Sequence, residues 1–116
     1  MTGFPDLFLL VGPNTGLGHS SMIFMIESQI ACVLDAIRIL RSRRLKLIDV
    51  RPEVQARYNE RLRARFPRTV WASGCRSWYQ TARGKNTTPR PGFTVEFRLR
   101  LRRCDAARYR LVPLTP

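Results

Sequence analysis

The sequence predicts a mixed α/β fold, and three observations carry that expectation. A strand-like apolar run, Leu7 to Val11, enters a loop bearing Gly12, Gly16 and Gly18, which opens into a long apolar helix beginning near Ser20. A second short strand, Leu45 to Val50, precedes Pro52, which suits the first turn of a helix because its ring presets φ and it has no N–H to leave unpaired. Helical spacing then returns downstream, so strands and helices alternate through the first half of the chain.

Each element has its own warrant. In the first helix, about Ser20 to Leu40, the residues Ile23, Ile26, Ile30, Val33, Ile37 and Leu40 recur at intervals of three and four, the spacing of a buried stripe. In the second, Val54, Tyr58, Leu62 and Phe66 line one face, the other faces are basic, and Pro67 closes it. Beyond residue 68, Phe93, Val95, Phe97, Leu99 and Leu101 alternate with Thr94, Glu96, Arg98, Arg100 and Arg102, the period of a half-buried strand. The tail from Leu111 to Pro116 has two prolines and no following element, and it is expected to be loose. No internal repeat or linker divides the chain, so residues 1–116 read as one partial domain.

The loop between the first strand and the first helix is the place for chemistry. A helix start leaves four backbone N–H groups without intrahelical partners, and the aligned peptide dipoles add partial positive charge, so an electron-rich ligand edge is favoured there. Gly12, Gly16 and Gly18 carry no Cβ and permit close backbone approach. An ordinary strand-to-helix turn explains the same residues. Two known phosphate loops do not fit: five residues separate Gly12 from Gly18 and His19 follows where a P-loop needs Lys. A dinucleotide turn is only nearly met by Gly16, Gly18 and Ser21, and Asp49 lies too far along to serve as the ribose partner.

The block Phe4, Pro5, Asp6, Leu7, Phe8, then Gly12, Pro13, Asn14, Thr15, Gly16, Leu17, Gly18, His19, Ser20, Ser21 resembles the carboxyl-terminal part of flavin-containing monooxygenases of the Baeyer–Villiger type. The similarity resumes at Gly74, Cys75, Arg76, Ser77, Trp78, Tyr79 and again at Gly84 to Thr88 and Pro91 to Phe93. One departure is visible: the related sequences carry Leu and Trp where this chain has Pro89 and Arg90.

The resemblance implies the C-terminal fragment of a flavoprotein with two dinucleotide-binding domains: strand, glycine-rich loop, long helix, strand, helix, then an irregular or hairpin region, with a lid-like segment about residues 69–110. It implies helix rather than strand near residues 93–101, which leaves that region open. It also implies FAD contact at Gly12, Pro13, Asn14, Ser20 and Ser21. His19 would face substrate or nicotinamide, or serve as a hydrogen-bonded structural residue. Trp78 would lie near the NADP(H) and substrate side, or act as a core aromatic. The GxGxxG turn for FAD, the NADPH-binding unit and the charged catalytic residue all lie upstream in such enzymes. No catalytic residue is therefore expected here, FAD and NADP would bind only in the complete protein, and the partner would be a missing amino-terminal portion or a complementary chain.

Composition bounds the alternatives. Formal net charge is +13, nearly all from arginine. Such a surplus attracts polyanions without sequence preference, and a small basic nucleic-acid-binding protein is the rival reading, but no helix-turn-helix, zinc-finger spacing or RNA-binding aromatic signature accompanies it. Cys32, Cys75 and Cys104 form neither a CxxC metal site nor a disulfide framework, and no metal is expected. No Lys or Arg precedes Arg38, and Glu27, Gln29, Asp35 and Arg38 interrupt the first helix, so neither a secretory signal nor a membrane span is expected and the cytoplasm is the default.

Overall fold

The computed structural model describes residues 1–16, 21–69, 81–83 and 88–114. Among them the chain forms α1 (Met22–Ser42), β1 (Leu45–Val50), α2 (Pro52–Arg65) running into a 3-10 turn (Phe66–Arg68), then α3 (Thr94–Leu101), a second 3-10 turn (Ala106–Arg108) and β2 (Tyr109–Pro113). The mixed α/β expectation holds, with β1 and β2 forming a two-stranded antiparallel sheet.

Both helices and the strand of the first half form where periodicity and Pro52 place them. α1 ends at Arg43 and Arg44, whose N–H groups return to the carbonyls of Ile39 and Arg41. Its buried face differs from the expected stripe. Met25, Ser28, Gln29 and Ala36 are buried, whereas Ile23 is 68% exposed and Ile30, Leu34 and Ile37 are each more than 40% exposed. The polar pair tolerates burial because it is bonded: Ser28 Oγ donates to the Phe24 carbonyl at 2.7 Å, and Gln29 Oε1 accepts from the Val11 N–H at 3.0 Å. α3 and β1 pack on α1, and the isoleucine stripe is left largely open.

The strand expected at Leu7 to Val11 does not form. Asp6 and Val11 both adopt left-handed backbone, φ 58° and 56°, so the run is broken at each end. Asp6 instead serves the edge of β1 by itself: its N–H donates to the Ile48 carbonyl and its Oδ1 accepts from the Ile48 N–H, both at 3.0 Å. One residue does locally what a ladder would do.

The two remaining corrections lie downstream of residue 90. The alternating run is helix, α3, as the resemblance implied, because Phe93, Phe97 and Leu101 also fall four apart and share a helical face. Phe97 is buried, while Phe93, Val95 and Leu99 are exposed. The hairpin-like stretch around Trp78 lies outside the described residues. The described part of the tail, through Leu114, is not loose: β2 pairs with β1 through Leu47↔Val112, Ile48↔Leu111 and Val50↔Tyr109, and the Leu114 N–H donates to the Arg44 carbonyl at 2.8 Å. A partner strand so remote in sequence leaves no local signal.

The core gathers Ala36 of α1, Ile48 of β1 and Cys104, with Phe8, Cys32, Ile39, Leu40, Tyr109 and Leu111 packed around them.

Candidate cofactor-facing loop and helix start

The glycine-bearing loop is pinned to the segment before α3. The Gly16 N–H donates to the Thr88 carbonyl at 3.0 Å, and the Arg90 N–H donates to the Gly16 carbonyl at 2.8 Å, a parallel bridge between Gly16 and Pro89. Asn14, at φ 56°, donates from its side-chain amide to the Pro89 carbonyl at 3.2 Å. Thr15 is buried and its hydroxyl donates to the Gly12 carbonyl. The close approaches the glycines permit are thus to the chain itself. A Cβ at Gly16 would stand 2.9 Å from the Thr88 carbonyl oxygen, and one at Gly12 would stand 3.0 Å from Leu9 Cβ.

The helix start beyond the loop is electrostatically open among the described residues. Ser21, with extended backbone, precedes Met22 without a side-chain capping bond, and no acidic residue occupies the first turn of α1. A helix start without a side-chain cap or an acidic residue in its first turn keeps partial positive charge, which suits an electron-rich partner. Of the residues expected to contact cofactor or substrate, Gly12, Pro13, Asn14 and Ser21 are placed by the structure at the loop and its exit. His19, Ser20 and Trp78 lie outside the described residues.

Sequence reasoning missed the group behind the loop. Arg90, 3% exposed, lays its guanidinium over the Phe97 ring at 4.5 Å from the centroid and donates to the Tyr58 hydroxyl at 3.4 Å, while its Nε is buried without a hydrogen-bond partner. The cation has a π face for its charge but an incomplete shell of acceptors. Nearby, Arg65 of α2 forms a two-pronged bond to Glu96 of α3, at 2.7 and 2.9 Å, and Arg100 meets Glu96 at 2.9 Å. These pairs hold Glu96 below the usual carboxylate range, the Arg65 hydrogen bond contributing most. The Pro89–Arg90 departure was the available signal. It marked the right segment without indicating that the guanidinium would be buried.

Comparison with curated proteins decides the relationship. Over 111 residues, 94% of this chain, it is 53% identical to a Baeyer–Villiger monooxygenase of Pseudomonas aeruginosa, and over 118 aligned residues it is 47% identical to a Baeyer–Villiger monooxygenase of Streptomyces coelicolor. The chain belongs with the Baeyer–Villiger monooxygenases, as a segment of them. It spans about a fifth of the length of those two relatives. An FAD-binding monooxygenase of Aspergillus niger is 39% identical over 80% of the chain. No family model matches the chain, and no solved structure matches it.

Relative to a complete Baeyer–Villiger monooxygenase, the described residues supply a loop, a helix start and a packed face, but no cluster that could hold a metal ion. Among them, no helix is long and apolar enough to cross a membrane. Arginines are carried on α1, α2, α3 and β2 and on the segments between them. Some of them are held by Glu53, Asp49, Glu96 and Asp105.

Proposed function

We propose that this chain is the carboxyl-terminal part of an FAD- and NADPH-dependent monooxygenase of the Baeyer–Villiger type, contributing the loop and helix start that lie against the flavin, and that it does not turn over substrate alone. The observation that carries the reading is the identity across nearly the whole chain to relatives about five times its length, with the first helix of this chain left bare along its isoleucine stripe. A segment of a larger fold exposes the apolar faces that its neighbours would cover.

FAD fits the described residues in one respect: the uncapped, acid-free start of α1 suits an edge that gains negative charge. When bound, the flavin supplies the oxygen chemistry. Gly12, Pro13, Asn14, Ser20 and Ser21 would hold that edge, with the bond from Asn14 to Pro89 fixing the loop beneath it. His19 and Trp78 would face the substrate and NADP(H) side. The remaining portion, or a complementary chain, would bring the nucleotide-binding turns.

The test is reconstitution in trans. The chain alone is expected to retain no flavin and oxidise no NADPH, whereas mixed with the amino-terminal four fifths of the Pseudomonas aeruginosa relative it should form a complex that retains FAD. Flavin retention or NADPH oxidation by the isolated chain would overturn the proposal, as would failure of the two pieces to associate.

A further inference from the structure

Two of the three cysteines, remote in sequence, share one site. Cys32 lies in the middle of α1, and Cys104 lies between α3 and β2, where it joins Ala36 and Ile48 in the core with Cys32 packed against it. Their backbone relationship is fixed from two sides. The Cys104 N–H donates to Asp35 Oδ2 at 2.8 Å, one helical turn beyond Cys32, and Tyr109, close behind Cys104, is locked into the β1–β2 register opposite Val50. Both cysteines belong to one packed core group, and both are free, not bridged.

We propose that Cys32 and Cys104 form a reversible dithiol–disulfide couple, a redox-modifiable site that staples α1 to the segment leading into β2. The neighbourhood separates the two thiols: the proximity of Cys32 lowers Cys104, and the proximity of Cys104 together with burial raises Cys32. The direction of these shifts makes Cys104 the attacking sulfur and Cys32 the resolving thiol in the proposed couple. With hydrogen peroxide as oxidant, the Cys104 sulfur attacks the O–O bond, forming a sulfenic acid and releasing one water after proton uptake. The Cys32 sulfur then displaces the sulfenic hydroxyl as a second water. Two thiols lose two hydrogens and two electrons in all, and one peroxide becomes two waters. A dithiol reductant reverses the bond by exchange.

The surroundings set the selectivity. Cys104 is only 7% exposed, so a small peroxide reaches it more readily than a bulky alkylating reagent.

The experiment uses the full chain, oxidised with stoichiometric hydrogen peroxide, blocked with an alkylating reagent and mapped by peptide mass spectrometry. Native chain should yield the Cys32–Cys104 cross-link as the dominant product, at least tenfold over any cross-link to Cys75, and dithiothreitol should restore three alkylatable thiols. In urea the preference should collapse. Oxidised chain should also show a higher urea midpoint than reduced chain, a shift that Cys32→Ser abolishes. Cys104→Ser should lose the link as well, and because Cys104 is a core residue, the half-buried Cys32→Ser remains the deciding variant if that protein fails to fold. Equal yields of the three possible cross-links in native chain, or full alkylation of Cys32 and Cys104 after oxidation, would sink the proposal.

Discussion

Gly16 and Thr88 are joined backbone to backbone, N–H to carbonyl at 3.0 Å, and the same carbonyl oxygen occupies the space a side chain at position 16 would need. This contact carries the glycine-rich loop onto the segment that leads into α3. It is a structural requirement for glycine that holds whether or not a flavin binds.

Gly16→Ala should therefore destabilise the chain by about 1–3 kcal/mol, the usual cost of forcing an extra carbon into a packed site. Urea unfolding followed by circular dichroism measures it. An unchanged midpoint would show that the loop can lift off residues 88–90 freely.

Gly92 sits at φ +127°, a region side chains rarely adopt, with Arg65 Nη1 3.1 Å from the position of a Cβ. Gly92→Ala should cost about 1–3 kcal/mol through backbone strain and should loosen the Arg65–Glu96 pair as well. Comparing it with Glu96→Gln in a double-mutant cycle separates the two contributions. Strict additivity would mean that they are independent.

Arg90 offers a sharper contrast. Arg90→Ala leaves a void beside Phe97 and should cost about 2–4 kcal/mol, whereas Arg90→Met keeps much of the volume, removes the unpartnered Nε and should cost less than about 1.5 kcal/mol. If the two substitutions were equally harmful, the guanidinium's charge rather than its bulk would be what the site needs.

The Glu96 carboxyl, held below its ordinary 4.5 chiefly by Arg65, gives the α2–α3 contact an acid dependence. A lowered folded-state pKa means that the stabilisation is fully present above about pH 4.5 and is lost as pH falls through the lower folded value. Because both partners are partly exposed, solvent screening limits the effect to about 0.5–1 kcal/mol. Unfolding midpoints at pH 6 and pH 3 should differ more for the parent than for Glu96→Gln; identical differences would remove Glu96 from the account.

The bare stripe of α1 should behave as an interface. Ile30→Gln with Ile37→Gln is expected to change the stability of the isolated chain by less than about 0.5 kcal/mol, since both side chains are 41% exposed, yet to improve its solubility and prevent assembly with the amino-terminal portion of a relative. Sedimentation of the mixed pieces checks it. Assembly at parental affinity would place the interface elsewhere.

Much of this protein was written locally. The 3.6-residue period over residues 22–42, the short apolar-rich run Leu45–Val50 and Pro52 at the head of α2 specify their elements through interactions no more than four residues away, and those elements form where the sequence puts them. The kinship was legible too, in the two separated blocks around Asn14 and Trp78. Tertiary structure alone decided the rest. Asp6 answers Ile48, β2 finds β1, Arg90 lies over Phe97, and α1 buries Met25 and Ala36. Of the isoleucines of α1, only Ile23, Ile30 and Ile37 are exposed, while Ile39 packs on the core. These outcomes depend on which distant surfaces are available to pair, and a one-dimensional pattern records only that a face is apolar, not what will cover it.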